Sequence, residues 1–387
     1  MKILHLSLSC AFSDGFNYHE NELPYAQLKL GNDVVIVARN LEFKNGVAEK
    51  CSPGNFVLAN GIRLYRLKIK NFFVNSFTRP KTKELMDILR KENPDVIWVH
   101  GIMNNSLSIV CKYKRTNKKT IIVADNHVDE GNYGLNFLSK VVLWIFKKRN
   151  QRVANNVSIF YGVTPGRLSF MRKYLGVPYE KSKLTTMGAN PDTIDYKNKE
   201  NIRAKIRNEL GIMDSDFLYI TGGKIDYQKR TIDLIKAISF IKEENIKLLI
   251  FGSLDESIKE EFNEMLKNSN NVMYLGWKNV KEYNDLFISS DCGIFLNSHS
   301  TLWENALACG TPCIFGIKEG LDHLFSQNLG FFFDSKEHGE LSLFLKTFAF
   351  SSKYHELLND SNVKRNNYSY DVIAKKTIND LNEVRND

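Results

Sequence analysis

The feature that most constrains this chain is an alternation, sustained over nearly its whole length, of short β-branched runs with amphipathic stretches of helical period. Strands apolar on both faces must be covered on both faces, and helices returning between parallel strands supply that cover. The expected class is therefore α/β. In the first half the spacing predicts strands at 3–8, 33–37, 95–99, 120–124 and 157–160, with a hairpin formed by 55–58 and 62–67. The second half restarts the pattern, with strands at 217–221, 247–251, 272–275, 292–296, 312–315 and 330–333 and helices at 230–242, 257–267, 280–289, 302–309 and 336–350. Between the halves, Gly188, Ala189, Asn190, Pro191 and Asp192 interrupt the periodicity, and a polar stretch follows at 196–200. The 387 residues suit two domains. The expected division is a first Rossmann-like domain over 1–190, a second over 191–364, and a C-terminal helix over 365–387 able to cross back to the first. Two such domains facing a cleft would place ligands beyond the carboxyl ends of their strands.

Charge refines this plan. The net charge of +9 divides unequally: residues 1–200 hold 31 Lys/Arg against 17 Asp/Glu, and residues 201–387 hold 22 against 27. The basic excess lies in the first half, where it suits an anionic acceptor or bilayer surface. No helix-turn-helix or RNA-binding motif supports a nucleic-acid partner. The six cysteines, at 10, 51, 111, 292, 309 and 313, are too scattered for a disulfide framework and form no Cys-x-x-Cys pair. The apolar start at 2–9 is too short for a secretory signal, and no window approaches a membrane span. A cytoplasmic protein is expected, with a peripheral position on the inner face of the cytoplasmic membrane left open.

Two loops carry chemistry. After the expected strand at 217–221 comes Gly222-Gly223-Lys224-Ile225-Asp226-Tyr227-Gln228-Lys229-Arg230, opening a helix. Glycines admit close backbone approach, and two lysines five residues apart offer positive potential to a diphosphate. The motif is neither the Walker pattern nor Gly-x-Gly-x-x-Gly, and a tight turn with solvated lysines is the plainer alternative. The second loop, His299-Ser300-Thr301-Leu302-Trp303-Glu304, also follows a strand and starts a helix. Glu304, in its first turn, is placed to accept from a ribose diol, or is simply a helix-start glutamate.

Together these loops resemble the retaining glycosyltransferases of family 4, most strongly over 218–333. The resemblance implies the GT-B fold, two Rossmann-like domains with parallel sheets facing a central cleft, and a hexosyl-type transfer from a nucleotide sugar, UDP-linked, without a cofactor. Lys224 and Lys229 match the pair that grips the donor diphosphate, beside Gly222 and Gly223. Glu304 to Pro312 match Glu-Ala-x-Ala-x-Gly-x-Pro, whose glutamate binds the ribose. Gly276-Trp277-Lys278-Asn279 looks like the loop beside the nucleobase. One departure stands out: eight residues before Glu304, where the family's first glutamate contacts the donor sugar, this chain has Leu296. The acidic function is absent or displaced, with His299, Ser300 and Thr301 nearest the sugar. The His-Ser-x-Leu-Trp-Glu run looks similar to a branch that makes bacterial surface polysaccharides of capsule and O-antigen type.

In the first domain, the turn around Gly15 resembles the family loop that closes over donor phosphates, and His127 resembles the histidine by the sugar hydroxymethyl group. Ordinary loop and structural-histidine roles are the alternatives. Asp214-Ser215-Asp216 has the Asp-x-Asp spacing of the other glycosyltransferase fold, but it precedes a strand and reads as a turn. Transfer is expected to be metal-independent, the lysines replacing a cation at the departing diphosphate. The stripe Phe137, Leu138, Val141, Val142 and Ile145, with Lys140, Lys147, Lys148 and Arg149, is expected to pack on its own sheet, with an anionic membrane as the alternative. The implied partners are a nucleotide-sugar donor and a glycan or lipid-linked acceptor. The competing reading is a catalytically inactive GT-B protein that only binds nucleotide or sugar. A dehydrogenase is a more distant one, weakened by the missing dinucleotide fingerprint.

Overall fold

The computed structural model describes residues 1–44, 47–70, 79–80, 82–243, 245–297, 299–317, 320–325, 330–333 and 335–386. The chain forms two units, Met1–Met187 with Tyr370–Asp387, and Gly188–Ser369.

In the first unit, eight strands among the described residues make one sheet: β1 Lys2–Ser7, β2 Asp33–Arg39, β3 Gly54–Val57, β4 Arg63–Leu67, β5 Val96–Val99, β6 Ile121–Asn126, β7 Ile159–Gly162 and β8 Ser182–Leu184. Their order is β8-β7-β6-β5-β1-β2-β4-β3. All pairings are parallel except the expected hairpin, where Asn55 faces Tyr65 in β3 and β4. Burial on both faces explains the unbroken apolar runs. Leu4, Leu6, Val35, Ile97 and Val99 pack with Leu107, Leu143 and Phe146 of the covering helices on one side. Ile3, Val96 and Trp98 pack with Tyr370, Ile373 and Leu381 of the helix Tyr370–Asn386 on the other. From β1 the chain winds first to one side of the sheet and later to the other, so the switch point lies between β1 and β5. The sequence does not announce a second hairpin, Leu41–Lys44 against Val47–Lys50: its strands lie half-buried or exposed, and only the first alternates apolar with charged residues.

The second unit holds six parallel strands among the described residues: β9 Phe217–Ile225, β10 Ile246–Leu254, β11 Val272–Tyr274, β12 Cys292–Phe295, β13 Cys313–Phe315 and β14 Gly330–Phe332. They are ordered β11-β10-β9-β12-β13-β14, with the switch point between β9 and β12. The chain enters and leaves this unit side by side: the Ala189 amide donates to Tyr368 O at 2.7 Å, and Ala189 bridges Ser369. The helix Val280–Ser289 has the expected bounds, started by a capping box in which Asn279 Oδ1 accepts from the Glu282 amide and Glu282 Oε2 accepts from the Asn279 amide. The Asp-x-Asp segment is a turn before β9, where the Met213 amide donates to Asp216 Oδ2 at 2.8 Å. All six cysteines are free, and no described helix is long and apolar enough to cross a membrane.

Candidate functional site

In the second unit the first loop differs from expectation in one respect. β9 continues to Ile225, so Gly222, Gly223 and Lys224 belong to the strand rather than to a turn after it. The glycines are demanded by packing. A Cβ on Gly222 would meet the Phe251 ring at 2.4 Å, and one on Gly252 would fall 1.8 Å from Gly223 O. Gly223 and Gly252 hold φ of 110° and 128°, backbone that favours glycine. A Cβ on Gly223 would also lie 3.2 Å from Leu302, the first residue of the helix Leu302–Ala308, so the fold brings the two loops together. The Gly252 amide donates to Gly276 O at 2.8 Å, which seats the Trp277-Lys278 loop beside the same strand ends. Trp277 is 67% exposed there, and Lys278 half-buried.

Lys224 is exposed, with Nζ 2.9 Å from Asp255 Oδ2 and 3.8 Å from Asp226 Oδ2. Hydrogen bonds from Ser257 and Lys224 hold the Asp255 carboxyl below its ordinary range. Lys229 ends a short turn, Tyr227–Lys229, capped by Asp226, whose Oδ1 accepts the Lys229 amide at 3.2 Å. Arg230 then takes a left-handed conformation (φ 57°) held by Asp233 and Ser335 O. A non-glycine there is costly, and the expected helix starts one residue later, at Thr231.

The second loop is withdrawn from solvent. Glu304 is fully buried, with Oε1 2.8 Å from His299 Nε2 and 3.9 Å from His323 Nε2. Burial alone would raise its pKa, but the two histidines outweigh burial and hold it at about 2, so it is ionised. Its Oε2, with Ser300 Oγ, Trp303 Nε1 and Asn305 Oδ1, is buried without a hydrogen-bond partner among the described residues. Buried polar atoms are ordinarily satisfied, so such a concentration within six residues marks a place for a polar guest. Thr301 occupies the position preceding the helix.

In the first unit, Gly15 sits in an exposed turn with φ 76° and open space around it. His127 follows β6, with Nε2 3.3 Å from Asp125 Oδ1. Burial pulls the imidazole toward neutrality, but the Asp125 charge and hydrogen bond prevail and raise its pKa. Asp125 is wholly buried. Burial opposes its charge, and His100 and His127 more than compensate, keeping it well below the usual carboxylate range. The sequence offers His100 and Asp125 at the ends of expected strands; the fold adds His19 and brings the three together.

Comparison with known proteins bears on this geometry. Residues 202–359 match the family described as Glycosyl transferases group 1. An uncharacterized glycosyltransferase of Methanocaldococcus jannaschii is 26% identical over 211 residues, 52% of this chain and 54% of that protein. The chain thus spans about half the length of this curated relative. Among solved structures, Anabaena HepE in complex with UDP is 15% identical, with a TM-score of 0.73 over 99% of this chain and 100% of that one. Sucrose-phosphate synthase from Thermosynechococcus elongatus is 13% identical, with a TM-score of 0.72 over 99% and 98%. The fold is GT-B.

Within this GT-B chain, Leu296 is a buried core residue packed with Ile294 and Ile314, so no carboxylate occupies its place. The helix Phe137–Val153 corrects an expectation. Of its stripe only Val142 packs against the core: Phe137 and Leu138 are 79% and 74% exposed, and Val141 and Ile145 face outward too, as does Trp144 beside them. Leu143, Phe146 and Asn150 are its buried residues. Arg149 turns inward, donating to Asn104 O and Ile102 O and stacking on Phe146, where burial lowers its pKa to about 9.

Proposed function

We propose that this protein is a retaining, family 4-like glycosyltransferase that moves a hexosyl group from a UDP-linked donor to a glycan acceptor on a lipid carrier, in bacterial surface polysaccharide synthesis. The observation that carries this reading is the convergence of Gly222, Gly223 and Lys224 with the helix at Leu302 and its buried, unpartnered acceptors. The match of 202–359 to group 1 glycosyl transferases supports it, as does the likeness to HepE, which was solved with UDP.

In this mechanism Lys224 leaves Asp255 for the donor diphosphate and, with Lys229, stabilises the charge that develops on it. No divalent cation is needed at that position. Glu304 takes the ribose, Trp277 and Lys278 flank the base, and His299, Ser300 and Thr301 lie toward the sugar. Gly15 gives its loop room to approach the phosphates, and His127 stands by the sugar hydroxymethyl group. The acceptor hydroxyl attacks the anomeric carbon on the face the nucleotide leaves, and a donor phosphate oxygen takes its proton. The exposed apolar face of Phe137–Val153, with Lys140 and Lys148 exposed beside it, suits docking to an anionic bilayer that presents a lipid-linked acceptor.

The buried Leu296 favours one competing reading, a GT-B protein that binds nucleotide or sugar without turnover. Incubating the full chain with UDP-sugars and following UDP release separates them. Release that depends on Lys229 supports the enzyme, and tight UDP binding with no release supports the binding protein.

A further inference from the structure

Around Asp125, hydrogen-bond directions in the first unit can be followed atom by atom. Thr377 Oγ1 donates to Ala374 O at 2.9 Å, so it accepts from Gln27 Nε2 at 3.2 Å. That turns Gln27 Oε1 toward His5 Nε2, 2.9 Å away, which must therefore carry a proton. His5 Nδ1 and His100 Nε2, 3.0 Å apart, share one more. At the far end His100 Nδ1 meets Asp125 Oδ2 at 2.6 Å, and that oxygen also accepts from Trp98 Nε1 at 2.8 Å. Oδ1 accepts from the Gly101 amide at 2.8 Å. Two acceptors thus terminate a chain of two imidazoles, so the chain holds three protons and one positive charge, or a cation takes the place of the proton facing Asp125.

Two observations favour the cation. His19 is 1% exposed, and its Nε2, 3.9 Å from Asp125 Oδ2, has no hydrogen-bond partner among the described residues. One ligand atom from each of His19, His100, Asp125 and His127 lies within 4.8 Å of the others. A tetrahedral ion about 2.0–2.1 Å from each ligand holds neighbours roughly 3.3 Å apart. About Asp125 Oδ2, His19 must close from 3.9 Å and His100 open from 2.6 Å, while His127 Nε2 lies 3.3 Å from the other carboxylate oxygen, Oδ1. The outer ring nitrogens are braced as metal-bound imidazoles are: His100 by His5, and His19 by Tyr370, whose hydroxyl lies 3.3 Å from Nδ1.

We propose that His19, His100, Asp125 and His127 form a divalent transition-metal site of the zinc class at the switch point of the first sheet. Three imidazoles and one carboxylate suit zinc rather than the oxygen-seeking magnesium or calcium. Four protein ligands leave no open position, so the ion is structural, tying the start of the helix His19–Lys29 to the ends of β5 and β6. The inference does not depend on glycosyl transfer, and it replaces the role of His127 beside the donor sugar with that of a metal ligand.

The test uses the full chain, stripped with a chelator and reloaded with zinc or cobalt alone. Expected are about one zinc per chain retained through gel filtration, a melting temperature raised by several degrees, and visible cobalt bands of tetrahedral intensity. His19→Gln should lower retention at least about tenfold. The cobalt spectrum of the unmutated chain decides the matter should that variant not fold. Wild-type protein that retains no metal and melts unchanged with zinc would overturn the proposal, as would retention indifferent to His19→Gln and Asp125→Asn. Neither result would touch the donor reading of Lys224, Lys229 and Glu304, because activity is not the readout.

Discussion

His299 and Glu304 are joined by a 2.8 Å hydrogen bond between Nε2 and Oε1, with both side chains almost wholly withdrawn from solvent. Removing His299 leaves a buried charge with its nearest partner gone. His299→Ala is expected to cost about 3–5 kcal/mol of stability in urea titrations. The pair also sets a pH dependence. The Glu304 pKa, about 2, is depressed below its unfolded value, so its contribution is complete above the ordinary glutamate range and is lost as pH falls toward 2. The stability advantage of wild type over Glu304→Gln should therefore shrink between about pH 4.5 and 2. An advantage constant over that window would contradict the ionised, histidine-paired carboxylate.

Lys224 is 65% exposed at its side chain, and its partner Asp255 lies at the surface with it. Lys224→Ala should leave the unfolding midpoint unchanged while reducing transfer by about 100-fold or more, as loss of a transition-state charge partner does. Equal losses of stability and rate would instead mark Lys224 as structural.

Gly252 and Gly15 both hold positive φ, but only Gly252 is crowded, with a Cβ falling 1.8 Å from Gly223 O. Gly15→Ala should cost about 1 kcal/mol from backbone strain alone. Gly252→Ala should cost several times more, or prevent folding, because strands β9 and β10 must separate. Urea midpoints compare the two directly.

The exposed face of Phe137–Val153 predicts binding to anionic vesicles and little to neutral ones. A Leu138→Glu, Trp144→Glu double variant should lose vesicle co-sedimentation while its urea midpoint stays within about 0.5 kcal/mol, since neither side chain is buried. Unchanged sedimentation would exclude this helix as the docking element.

How much of this could be read from residues alone follows from what each feature depends on. The parallel sheets were legible because doubly buried strands such as Val34–Val37 write long apolar runs, and the helix expected at 280–289 has those bounds. The extent of β9 was not, because Gly222 and Gly223 are turn formers locally and become strand residues only against Phe251 and Gly252. The helix Phe137–Val153 misled for a related reason: its apolar positions outnumber those its neighbours can cover, and periodicity does not say which face the sheet receives. At the candidate site, the lysines and Glu304 are spaced along the chain in a recognisable way. The Asp125 cluster joins His19 at the start of its helix, His100 just after β5, and Asp125 and His127 at the end of β6, and only the strand order assembles it.

The central claim is that the strand ends of the second unit bind a nucleotide-sugar diphosphate. A thermal-shift titration of UDP-sugars into the full chain, without added metal, tests it most directly. Ligand at about 100 times its dissociation constant stabilises the native state by about 2.7 kcal/mol, and the melting temperature should rise accordingly with at least one UDP-sugar. That rise should disappear in Lys224→Ala, Lys229→Ala protein. No response to any UDP-sugar, or an undiminished response in the double variant, would contradict the account.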